Sequence, residues 1–175
     1  MDEKIPLSVA IITKNEVANL PGCLESVSFA RQIVVVDSGS DDGTPEIARG
    51  FGCDVFIEDW KGFGRQKQAA IDRCREPWVL VLDADERIPP ETQAAIRGVV
   101  SSGGEAAQGY SFPRKNFFQG RWVRHMGWWP DRITRLFCRG MDRMTEVPVH
   151  DVVTVAGQVI TLEPPIEYFT ERRLS

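Results

Sequence analysis

A regular alternation in the first hundred residues constrains this chain more than any other feature. Short β-branched or aliphatic runs occupy residues 7–13 (LSVAIIT), 33–37 (IVVVD), 55–57 (VFI) and 79–82 (VLVL). Near-continuous apolar runs of this length mark strands buried on both faces. Helix-like segments lie between them. Asn19 caps one, with Pro21 in its first turn and Leu20, Leu24 and Val27 at helical spacing. Thr44 followed by Pro45 opens a second, which Gly50 or Gly52 stops. A third is expected over residues 65–75, and a fourth from Pro90 toward Val100. This alternation predicts an α/β chain with a mostly parallel, doubly wound sheet whose ligands gather at the carboxyl ends of the strands.

After the loop at 101–109 (SSGGEAAQG) the texture changes. YSFPRKNFFQGRW, ITRLFC and TVAGQVITLE read as strands with aromatic content and no helix between them. They predict an antiparallel addition to the same sheet. At 175 residues the chain suits one well-packed domain, 1–175, in two halves at 1–100 and 101–175.

A net charge of −4 gives no reason to expect nucleic acid as a partner. The charge is uneven, however. Residues 114–143 hold eight Lys/Arg against two Asp/Glu, a local +6 that suits either a solvated face or one meeting phosphates or anionic headgroups. Cys23, Cys53, Cys74 and Cys138 are widely spaced and only two histidines occur, so neither a zinc site nor a disulfide scaffold is indicated, and a reduced, cytoplasmic setting fits. No signal-peptide pattern or membrane-length apolar run is present, so any membrane contact is peripheral.

The strands end on acids. Thr13, Asn15 and Glu16 follow the first; Asp37, Ser38, Gly39, Ser40, Asp41 and Asp42 follow the second; Asp83, Asp85 and Glu86 follow the fourth. In a parallel sheet these tips converge on one crevice. Asp-x-Asp is by itself a weak pattern, but in an extended segment residues i and i+2 face one way, so Asp83 and Asp85 could address one target. Like charges so close call for a compensating cation, and Mg²⁺ or Mn²⁺, which prefers oxygen ligands and shares its shell with phosphates, is the economical choice. The small residues of DSGSDDGT (37–44) let a ligand approach the backbone. GFGRQK (62–67) lacks the third glycine of a dinucleotide fingerprint, and no Walker A pattern occurs.

With these motifs in hand, the chain resembles a known family. LSVAIITKNE, IVVVDSGSDDGT, GRQKQAAID and VLVLDADE, in that order, are similar to the family 2 glycosyltransferases of the GT-A, nucleotide-diphospho-sugar-binding fold. WWPDRITRLFCRG and VPVHD resemble the bacterial branch that extends the lipopolysaccharide core, often described as β-1,4-glucosyltransferases. The resemblance implies a metal-dependent inverting transfer from a nucleotide-sugar donor, UDP-linked, to a lipid-linked glycan at the cytoplasmic face of the inner membrane. It implies that Thr13, Asn15 and Glu16 line the nucleotide pocket and that Asp37, Ser38 and Gly39 sit against the nucleoside. Lys67 takes the place of a basic residue near the base or diphosphate. Asp83, Ala84 and Asp85 match the family's Asp-x-Asp, with Asp83 and Asp85 toward the metal and Asp85 the direct ligand. Many relatives carry a second Asp at the position of Ser38.

Inverting members use a carboxylate as general base. The related branch has His-Glu where this chain has His150-Asp151, which favours Asp151 for that role, with Asp131 as the alternative. Trp122, Trp128 and Trp129 suit sugar stacking, although each alone reads better as core. Relatives tend to continue beyond IEYFTERRLS into membrane-associating sequence, so the resemblance implies that such a segment is missing here. Two other readings compete: a nucleotidyltransferase, disfavoured by KNEVANLPG where a glycine-rich basic loop is wanted, and a non-catalytic nucleotide-sugar-binding module.

Overall fold

A computed structural model of the chain describes residues 3–103, 107–118, 121–122, 131–140, 142–144 and 153–170. The first half runs β1 (Ile5–Thr13), α1 (Leu20–Ser26), β2 (Ala30–Asp37), α2 (Thr44–Gly50), β3 (Asp54–Ile57), α3 (Phe63–Asp72), β4 (Trp78–Val81), β5 (Glu86–Arg87) and α4 (Pro90–Ser102). The second half adds β6 (Gly109–Phe118), β7 (Arg121–Trp122), β8 (Asp131–Cys138), β9 (Asp142–Met144), β10 (Val153–Val155), β11 (Val159–Thr161) and β12 (Ile166–Thr170).

Among the described residues the main sheet has ten strands, ordered β3-β2-β1-β4-β8-β6-β12-β5, with β7 and β11 also bonded to β6. β1 pairs in parallel with β2 and β4, and β2 in parallel with β3. The second half joins through β8, antiparallel to both β4 and β6. This is the mixed α/β sheet expected from the sequence, with two refinements. β11 and β12 run parallel to β6, and the two-residue β5 returns from the first half to pair with β12. β9 and β10 form a separate two-stranded sheet.

Alternation along β1 builds two cores. Leu7, Val9 and Ile11 face a layer that holds Leu20, Leu24, Ile96, Val99 and Val100, all buried. Ala10 faces the other layer, with Ala70, Ile71 and Cys74. Burial of each large aliphatic side chain contributes about 1.5–3 kcal/mol, so the sheet is fastened from both sides and its strand tips hold a fixed register.

Two helix starts differ from expectation in an informative way. Gly43, with φ 89°, is the residue before α2, so Thr44 is the first helical residue and not the cap. The Asp42 carboxylate takes over by accepting the Thr44 N–H at 3.1 Å. α3 begins at Phe63, two residues early, because Gly62 at φ 99° turns the chain directly into the helix.

Candidate active site

The strand order reverses direction between β1 and β4, since β1 leads to β2 and β3 on one side and the chain then crosses to β4 on the other. Ligands of open α/β sheets bind outside such a switch point. A cleft of about 630 Å³ opens there, lined by Ile12, Thr13, Lys14, Glu16, Ser38, Trp60, Phe63, Lys67, Asp83, Ala84, Asp85, Arg114 and Tyr168. Of the residues expected at the site, Thr13, Glu16, Ser38, Lys67, Asp83, Ala84 and Asp85 line this cleft. Asn15, Asp37 and Gly39, also expected at the nucleotide, are not among the lining residues; Asn15 and Gly39 are exposed and Asp37 is buried.

Asp37 is fully buried. Its Oδ1 accepts hydrogen bonds from the Thr13 hydroxyl (2.7 Å) and the Ser40 hydroxyl (2.6 Å). Its Oδ2 accepts the N–H groups of Gly39 (2.9 Å) and Ser40 (2.7 Å). Burial pushes this carboxyl up, but the Ser40, Thr13 and Gly39 donors outweigh it and hold the group below its ordinary value. Asn15 adopts a left-handed backbone (φ 54°), which asparagine tolerates better than most residues. Its side-chain oxygen accepts the Asp41 N–H at 3.0 Å, and the Lys14 ammonium donates to the Gly39 carbonyl at 2.7 Å. The loops after β1 and β2 are therefore bonded into one wall.

The acids beyond β4 divide their work. Asp83 is paired with Lys67 Nζ at 2.9 Å and with Arg135 Nη2 at 3.4 Å. Burial opposes its charge, but Arg135 and Lys67 overcome that and hold its carboxyl well below the usual range. Glu86 has no exposed surface and lies against Arg135 (3.2 Å) and Arg114 Nε (3.4 Å) while accepting the Asp83 N–H at 2.8 Å. Asp85 has no ion pair among the described residues. Burial first, then the charges of Asp83, Glu86 and Glu16, raise its carboxyl to about 7, and Arg114 offsets this only in part.

The donor chemistry fits a hard divalent cation at Asp85. Among the described residues no three His, Cys, Asp or Glu side chains form a cage, and an ion such as Mg²⁺ is commonly held by one or two carboxylates plus substrate phosphates and water. The two acids expected near a cation are not equivalent here: the Asp83 oxygens meet Lys67 and Arg135, whereas Asp85 has no ion pair among the described residues.

Reasoning from sequence did not single out Trp60, Phe63, Arg114, Tyr168 or Arg135. The aromatic residues flanking the glycine in DWKGFGRQK were a usable signal for the first two. Arg114 and Tyr168 depend on the pairing of β6 with β12, which sequence spacing does not encode; there the Arg114 guanidinium stacks 4.2 Å over the Tyr168 ring. Trp122 is half-buried under the Lys115 ammonium, 4.1 Å from its ring. Asp151, Trp128 and Trp129 lie outside the described residues, and of Asp131 only the backbone, at the start of β8, is described.

Residues 8–156 match the family model described as "Glycosyl transferase family 2". The chain is 32% identical over 170 residues to the lipopolysaccharide core biosynthesis glycosyltransferase LpsC of Rhizobium meliloti, covering 91% of this chain and 61% of that protein. In fold it is similar to Staphylococcus aureus TarS 1–349, solved in complex with UDP-GlcNAc (TM-score 0.56, 17% identity, 77% of this chain and 46% of that one). It is also similar to glucosyl-3-phosphoglycerate synthase from Mycobacterium tuberculosis, solved with Mn²⁺, UDP and glucosyl-3-phosphoglycerate (TM-score 0.50, 22% identity, 66% of this chain and 45% of that one).

Proposed function

The chain belongs to glycosyl transferase family 2, and from that premise we propose that it is a metal-dependent inverting hexosyltransferase. It moves a sugar from a UDP-sugar to a lipopolysaccharide-core or related cell-envelope glycan. The observation that carries this reading is Asp85: a carboxylate with no ion pair among the described residues, in a cleft at the sheet's switch point that Lys67 and Arg114 also line. A divalent cation bound there would supply Lewis-acid neutralisation of the diphosphate leaving group. Lys67 and Arg114 bring positive charge to the same cleft. The Asp83–Arg135–Glu86 cluster fixes the turn that presents Asp85.

Residues 1–100 serve the donor, with Arg114 and Tyr168 reaching its cleft from the second half, and the remainder of 101–175 serves the acceptor. Asp151 takes the proton from the acceptor hydroxyl as that oxygen attacks the anomeric carbon, with Asp131 as the alternative base. The donor assignment draws support from the UDP-sugar and Mn²⁺–UDP complexes of the two structural relatives. LpsC supports the acceptor class, and the basic stretch at 114–143 suits a phosphorylated or lipid-borne acceptor at the cytoplasmic face of the inner membrane. No helix among the described residues is long and apolar enough to cross a membrane.

The test is UDP release from a panel of UDP-sugars in the presence of purified lipopolysaccharide core. Turnover should disappear with a chelator and return with Mn²⁺. Asp151→Asn should abolish turnover while leaving UDP binding intact. Full activity in that variant would move the base role to Asp131, and turnover indifferent to chelation would overturn the metal-dependent mechanism.

A further inference from the structure

The β3–α3 loop and the first residue of α3 hold two large aromatic rings half in solvent at the cleft. Trp60 is 50% and Phe63 49% exposed, both line the cleft, and their rings meet edge to face with centroids 4.8 Å apart. Single exposed aromatics are ordinary on a protein surface. This pair differs because its loop is pinned. The side chain of Gln66, 1% exposed, accepts the Lys61 N–H at 3.2 Å and donates to the Glu58 carbonyl at 3.3 Å. The Glu58 side chain is tied to Lys61 (2.9 Å) and to Arg73. Gly62, at φ 99°, makes the bend between the two rings. A buried glutamine and a three-residue ion-pair cluster thus hold two aromatic rings open to a cleft that Lys14, Glu16, Lys67, Asp83, Asp85 and Arg114 also line.

Position selects the occupant. The sheet order places the β3 tip three strand spacings, about 14 Å, from the β4 tip. A nucleoside diphosphate whose phosphates sit at Asp85, at the β4 end, therefore reaches with its base toward β2 and β3. The β1 loop (KNEVANL) offers no aromatic ring there, and all four hydrogen bonds accepted by Asp37 come from Thr13, Gly39 and Ser40. Resting on the nucleotide-sugar reading above, we infer that Trp60 and Phe63 form the stacking wall for the donor's nucleobase. The base is gripped by its face, through one ring from the β3–α3 loop and one from the start of α3.

Stacking of one base on an aromatic side chain is lost on truncation to alanine with a roughly ten- to hundredfold fall in affinity. UDP and inorganic pyrophosphate, each with Mn²⁺, separate the base from the phosphates. Trp60→Ala should weaken UDP by that factor and leave pyrophosphate unchanged, Trp60→Phe should stay within a few-fold of the unaltered protein, and UDP should quench tryptophan fluorescence in the unaltered protein. Phe63→Leu provides a second variant with little change in volume and should weaken UDP in the same selective way. Equal losses for UDP and pyrophosphate would overturn the inference, because the loop would then act on the metal end. Unchanged UDP affinity with weakened UDP-sugar binding would also overturn it, assigning the rings to the sugar. If the unaltered protein binds UDP and Trp60→Ala binds it equally well, only the stacking wall falls. If the unaltered protein binds neither probe, the nucleotide-sugar reading falls and takes the wall with it.

Discussion

Asp37 is fully buried yet kept charged by four donors, so its role is to hold the β1 and β2 loops together. The folded chain binds its proton less tightly than the unfolded chain, in which the carboxyl titrates near 3.8. Its contribution to stability is therefore complete above that pH and is lost as pH falls through the lower native value. Asp37→Asn should cost about 1.5–3 kcal/mol at pH 7 in a denaturant titration, because the amide accepts fewer of the four bonds and brings donors of its own. The deficit should shrink below about pH 4, where the native protein loses the same interaction. A deficit independent of pH would contradict this account. From sequence, Asp37 was legible as a residue of the site but not in its orientation. A strand-tip acid can face the ligand or its own loop, and the choice depends on Thr13 and Ser40, 24 and three residues away.

At the scale of elements, β8 is the joint between the halves, and Arg135 is its pin. It reaches Asp83 and Glu86 beyond β4 and donates to the Val81 carbonyl at 3.4 Å. Removing one partner of a buried ion pair typically costs about 3–5 kcal/mol, because the other charge is left stranded. Arg135→Met should lose stability on that order, and adding Glu86→Gln should recover part of it. Strictly additive losses in a double-mutant cycle would contradict the coupling. The parallel core was legible in the sequence because strands buried on both faces read as unbroken apolar runs. The edge was not: β5 is two residues long, its Glu86 is buried despite its charge, and its pairing with β12 joins residues some eighty positions apart. Long-range pairing of that kind leaves no local period to read.

Across the whole molecule, the cleft draws on both halves of the sheet. Its β3 end is aromatic at Trp60 and Phe63, its β4 end is acidic at Asp83 and Asp85, and Arg114 and Tyr168 enter from the second half. One extended ligand with a base, a diphosphate and a sugar would match that sequence of surfaces. The convergence of strand tips that builds the cleft was legible from the alternation of strands and helices alone, whereas the closing wall from β6 and β12 required the fold. The measurement that tests this account most directly is calorimetric titration of UDP with and without Mn²⁺, on the unaltered protein and on Asp85→Asn. The account predicts binding that depends on the metal and is lost in the variant. UDP affinity that is the same without metal, or that survives the loss of the Asp85 charge, would contradict it.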